Sequence, residues 1–185
     1  ATVNVGDDSD DIGTTITTGD ITANTIKIEG INKTSNISTA YENVQVGNLE
    51  GQKIDITAYD NNDKDHPIGR GRVVVGNIKL LRDDGTDADG LTLTAGKYVN
   101  TMTIGTISGE DGPYADSPFG TKVTVAQGKF DLGDLNKIGK VVVGTSNTTA
   151  DVTVGTIDTG VATDDKEWLD GIKNESAVQV NGGSK

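Results

Sequence analysis

Val73-Val-Val-Gly76-Asn-Ile78 is one copy of a six-residue pattern: apolar, any residue, apolar or Thr, Gly, small polar, apolar. The same pattern reads Ile16-Thr-Thr-Gly19-Asp-Ile21, Val44-Gln-Val-Gly47-Asn-Leu49, Met102-Thr-Ile-Gly105-Thr-Ile107, Phe130-Asp-Leu-Gly133-Asp-Leu135 and Val152-Thr-Val-Gly155-Thr-Ile157. Successive copies are 28, 29, 29, 28 and 22 residues apart. Partial copies stand near the ends, as Val3-Asn-Val-Gly6 and Val178-Gln-Val-Asn181. Between copies there is usually a second alternating run, such as Thr25-Ile-Lys-Ile28, Lys53-Ile-Asp-Ile-Thr57, Leu91-Thr-Leu-Thr94, Lys122-Val-Thr-Val125 or Lys140-Val-Val-Val143. Alternation of period two marks a half-buried strand. The repeat unit is therefore two strands rather than a helix pair. The Gly interrupts the first strand of each unit and lets it bend across a sheet corner or change sheets.

Two all-β architectures satisfy this pattern. One is a single β-sandwich or jelly roll of about 11 to 13 short strands. The other is a β-solenoid with one coil per 28 or 29 residues. The connections vary from nothing to Asp83–Gly90 and Ser108–Pro118. Half-polar strands also suit antiparallel sheets with one buried face. On these grounds the sandwich is the expected fold and the solenoid the alternative. One short C-terminal helix is expected, capped by Asp164 with Glu167 three residues on, and with Trp168, Leu169 and Ile172 facing inward. The expected organisation is an N-terminal strand and acidic linker over 1–11 and a sandwich domain over 12–185.

Composition supports strands. Of 185 residues, 59 are Val, Ile or Thr, while Leu and Ala are scarce. The formal net charge is −12. That charge repels nucleic-acid phosphate, and no local basic patch offsets it. No run approaches the length of a membrane span, so membrane insertion is not expected. The chain has no Cys, which excludes disulfides, thiolate metal sites and Cys nucleophiles. Numbering starts at Ala1, and a small first residue suits a mature chain left by signal-peptide cleavage. A secreted, extracellular or cell-surface protein is the expectation.

Catalytic groups are sparse. His66, beside Pro67 in a polar stretch, is the one His, so a Ser-His-Asp triad would rest on it alone. No Walker loop or dinucleotide fingerprint occurs. The expectation is that the chain is not an enzyme. Acidic clusters are the main chemical feature. Asp60, Asn62, Asp63 and Asp65 form one, and Asp83, Asp84, Asp87 and Asp89, closed by Gly90, form another; Asp7, Asp8, Asp10 and Asp11 form a weaker third. Closely spaced carboxylates on turns supply the oxygens that calcium requires, so calcium is the expected cofactor, if any. Asp and Gly are also ordinary turn formers. Four sequons, at Asn32, Asn36, Asn147 and Asn174, are candidate glycosylation positions.

The ends carry the functional expectation. Thr2, Val3, Asn4 and Val5 alternate as a strand and then meet the acidic segment 6–11. A strand lent to a neighbouring subunit turns an edge liability into assembly. Head-to-tail addition that does not close gives a filament. Asp8-Ser9-Asp10 followed by Thr15-Ile-Thr-Thr-Gly19-Asp-Ile21 resembles the start of mature TasA/camelysin-like biofilm-fibre subunits. That resemblance, shared with archaeal donor-strand pili, implies a jelly roll that polymerises by N-terminal strand donation. The expected function is a structural subunit of a secreted filament or pilus, with copies of itself as partner. The alternatives are a calcium-dependent adhesive or carbohydrate-binding surface module, or a viral structural protein.

Overall fold

The computed structural model describes residues 2–5, 15–30, 43–58, 72–81, 90–96, 101–109, 121–158 and 178–185. The chain winds in coils, and each coil lays one strand on each of three faces. The first coil is β1 (Thr2–Val5), β2 (Thr15–Thr18) and β3 (Ile21–Thr22); the second is β4 (Thr25–Gly30), β5 (Asn43–Val46) and β6 (Leu49–Gly51). The third is β7 (Lys53–Ala58), β8 (Arg72–Val75) and β9 (Ile78–Leu80), and the fourth is β10 (Gly90–Ala95), β11 (Met102–Ile104) and β12 (Ile107–Gly109). In the fifth, β13 (Thr121–Leu132) runs unbroken across two faces before β14 (Leu135–Asn136). The sixth is β15 (Ile138–Val143), β16 (Ala150–Val154) and β17 (Ile157–Asp158), and β18 (Val178–Val180) opens a seventh on the first face.

Every ladder is parallel and joins a strand to its equivalent one coil away. Ile16 pairs with Val44, Val44 with Val73, Met102 with Phe130, and Phe130 with Val152. These offsets are the repeat steps of the sequence. The expected sandwich or jelly roll is therefore overturned: the pairing is that of the alternative, a solenoid. The physical reason is specific. A strand in a solenoid also has one face on the core and one on solvent, so its alternation matches that of an antiparallel strand. The variable connections do not need hairpins either. They leave from two of the three corners, where they lengthen a coil without disturbing the ladders. Among the described residues there is no helix, and the expected helix around Trp168 lies outside them.

The core fills the bore of the coil. Ile26, Ile54, Leu91 and Val123 stack in one inward column, and Ile28, Ile56, Leu93 and Val125 in the next. Leu49, Ile78, Ile107 and Leu135 form a third on the opposite side. Phe130 lies fully buried between Met102 and Val152. A slip of one residue would turn a whole strand's apolar set outward, so these columns pin the register. Ile54 is 0% exposed at mid-column. Ile54→Ala should therefore cost about 2–5 kcal/mol in a denaturant titration, the range for truncating a buried Ile.

Candidate functional site: the glycine corner and the two end coils

The corner between the second and third faces is always two residues long. It comprises Gly19-Asp20, Gly47-Asn48, Gly76-Asn77, Gly105-Thr106, Gly133-Asp134 and Gly155-Thr156. Each Gly faces the corner of the coil before it. A Cβ on Gly76 would lie 2.9 Å from the carbonyl carbon of Gly47, and one on Gly133 would lie 2.9 Å from that of Gly105. A Cβ on Gly155 would collide with Asp134 Oδ1. Only Gly permits this approach. Gly19 differs, because a Cβ there would meet nothing within 4 Å among the described residues.

At four of these corners the residue after the Gly ties it to the next coil. The backbone N–H of Asn48 donates to Asp20 Oδ1 at 2.7 Å, that of Asn77 to Asn48 Oδ1 at 2.9 Å, and that of Thr106 to Asn77 Oδ1 at 2.9 Å. Thr106 does not extend this series to Asp134. It restarts where Thr156 donates to Asp134 Oδ1 from both its N–H, at 2.8 Å, and its hydroxyl, at 2.9 Å. The backbone N–H bond from Thr156, and then the bond from its hydroxyl, hold the Asp134 carboxyl below its ordinary range. Beside this corner Lys79 Nζ contacts Glu50 Oε1 at 3.1 Å. Both side chains are well exposed, so this pair adds little to stability.

The last coils expose core positions. Ile157, Val178 and Val180 are the exposed large hydrophobics among the described residues, at 37%, 41% and 55%. Ile157 follows Leu135 in its column, Val178 follows Val141, and Val180 follows Val143. The residues they follow are all buried. The three are thus inward-facing positions with no further described coil over them. The segment after β18 is held closely. Asn181 N donates to Val143 O at 2.8 Å, and Asn181 Nδ2 to Gly144 O at 3.0 Å. Lys185 N donates to Ala150 O at 3.0 Å, and Val152 N donates to Lys185 O at 2.7 Å. Lys185 also meets Asp151 through its ammonium at 3.2 Å. An open groove of 440 Å³ beside this tail is lined by Lys129, Asn147, Thr149, Asp151 and Lys185 among others.

At the other end, Thr2–Val5 pairs within its own chain, in register with Thr25–Ile28. The expected donor strand is thus the first-face strand of the first coil. Asn147 is exposed in the turn before β16, and its N–H donates to Thr145 Oγ1 at 3.2 Å. The other sequons, Asn32, Asn36 and Asn174, lie outside the described residues. So do His66 and the candidate calcium ligands Asp60, Asn62, Asp63, Asp65, Asp83, Asp84, Asp87 and Asp89. Among the described residues no three acidic or His side chains gather as a metal site. The corner ladder was not foreseen; its signal was the Asp, Asn or Thr that follows every repeated Gly. Comparison with protein-family models, curated proteins and solved structures found no match.

The Asp134 bonds carry a pH dependence. A carboxyl depressed on folding stabilises the fold above its unfolded pKa, and that contribution is lost as pH falls through the folded pKa. The Asp134 carboxyl should therefore titrate below the usual aspartate range in a carbon-detected NMR titration. Thr156→Val keeps the N–H bond and removes the hydroxyl bond, so its titration should move only part of the way back.

Proposed function

We propose that this chain is a structural subunit of a secreted extracellular filament that grows head to tail, each copy extending the sheets of the one before. One observation carries the reading: the core columns reach the last coil with Ile157, Val178 and Val180 uncovered. Exposed apolar residues set in line with a core, with strand edges beside them, favour a partner that continues the same sheet. A second copy has the matching surface. Its first coil offers edges on all three faces at Thr2–Val5, Thr15–Thr18 and Ile21–Thr22. Its columns have the spacing of those they would extend, because the described apolar columns keep one register from coil to coil, the shifts between Leu93 and Thr94 and between Thr121 and Lys122 lying outside them. Head-to-tail contacts of this kind do not close, and they build a fibre.

The net charge of −12 accords with this reading. Like-charged outer surfaces repel side-by-side association, while the end faces present apolar residues and backbone groups. Growth along one axis is favoured over lateral clumping.

The test is assembly by the purified chain, read by sedimentation and negative-stain microscopy, with calcium and with a chelator. Mass should rise with concentration and fibres should form. Val178→Lys/Val180→Lys, at two positions already exposed, should keep the circular dichroism and Tm of the parent and yield only monomers. A parent chain that stays monomeric at high concentration overturns the proposal.

A further inference from the structure

The corner and the ends together specify how two copies meet, and this inference rests on the filament reading above. In every described coil after the first, the corner Gly packs on the Gly-X corner of the coil before. Gly19 has no described residue within 4 Å of a Cβ placed on it, yet it keeps the residue that the other corners need for close approach. Placed on a second copy, Gly19-Asp20 fits Gly155-Thr156 as Gly133-Asp134 fits Gly105-Thr106. The same placement sets β2 on β16 and β3 on β17, and Ile21 over Ile157.

That arrangement meets two occupied positions. On the second face Lys185 already bonds Ala150 O and Val152 N, the outer edge of β16 that Thr15 of the incoming copy would take, so this residue must lift from the edge as the copies join. On the first face the level beneath β4 is already occupied by the incoming copy's own β1, at Thr2–Val5. The receiving copy places β18 at the same level, one coil beyond β15. Two strands claim one position. They are chemically alike there: Val3-Asn4-Val5 pairs with Ile26-Lys27-Ile28, and Val178-Gln179-Val180 is the same apolar, amide, apolar series. Their anchorage differs. β18 is tied by its ladder to β15 and then by the bonds of Asn181, Ser184 and Lys185 to the sixth coil. Lys185 already sits beside Asp151, the column to which Thr15 belongs in the first coil. β1 is described with one ladder only, to β4.

We propose that β18 of one copy displaces β1 of the next and pairs with its β4, bringing Gln179 beside Lys27 and Val178 beside Ile26. β1 then acts as an internal plug. It completes the sheet of a free subunit and is released on assembly, so growth is an exchange of one parallel ladder for an equivalent one. Simple stacking of β1 on β18 is disfavoured, because it would leave the level over Ile157 empty on the third face and Gly19 without a seat.

Engineered thiols test this directly, since the chain has no Cys of its own. Asn4 and Lys27 are register partners on adjacent strands, whose separation of about 4.8 Å lies within disulfide reach. Asn4→Cys/Lys27→Cys, once oxidised, should stay monomeric, and reduction should restore assembly. In Lys27→Cys/Gln179→Cys, oxidation of fibres should give a ladder of covalent multimers on a denaturing gel. Gly19→Val should leave the monomer's Tm unchanged and raise the concentration needed for assembly about tenfold or more, the size of an overpacked contact. Fibres from the oxidised Asn4→Cys/Lys27→Cys form as readily as from the reduced one, or fibres without Lys27–Gln179 multimers, overturn the exchange while leaving the filament standing. A parent chain that never assembles overturns the filament itself.

Discussion

Backbone on backbone at the glycine corner is the constraint from which the other spacings follow. A coil can approach the one before it to the distance of a parallel ladder only if no Cβ stands between them, and five successive corners meet that condition. Once the corner is fixed, the strands on its two sides have a fixed direction and level. The side chains of Asp20, Asn48, Asn77 and Asp134 then accept from the next corner and hold it in place. With this corner locked, the other two corners are free to differ in length. They run from no connecting residue within β13, through the single residues Gln52 and Lys137, to the much longer stretch between β17 and β18.

The apolar columns divide the work with the corner. The corner sets where a coil sits, and the columns hold it there by burial. Their residues are mostly Ile, Leu and Val, which stack like on like in a parallel arrangement and prefer extended backbone. Aromatics are not needed for a bore this narrow, and Phe130 is the buried aromatic of the described core. The acidic character is carried elsewhere.

Much of this was legible in the sequence. Steps of 28 and 29 residues are the register offsets of the ladders, and the alternating runs are the strands. The direction of pairing was not legible. Ile26-Lys27-Ile28 presents the same alternation to a parallel neighbour and to an antiparallel one, and only the constancy of the step separates them. Long connections such as 82–89 looked like sandwich loops because length alone does not say which corner a connection leaves. The corner bonds were half visible. Asp20, Asn48, Asn77 and Asp134 were marked as small polar residues, but their bonds lie between positions 22 to 29 apart. Such bonds cannot be read until the coil is closed. The uncovered state of Ile157, Val178 and Val180 was likewise hidden, since apolar residues in a good strand pattern read as core.

A corner that fits any other corner of its kind has a consequence for descent. The unit that can be gained or lost is a whole coil, because a duplicated coil brings a lower Gly seat and an upper Gly-X corner that match its neighbours on both sides. Each such duplication lengthens the axis by about 4.8 Å and leaves every older contact in place. A change of one or two residues at that corner would instead shift one face against the next. The lineage of such a chain should therefore vary in steps of whole coils along the axis, and residue by residue only at the two permissive corners.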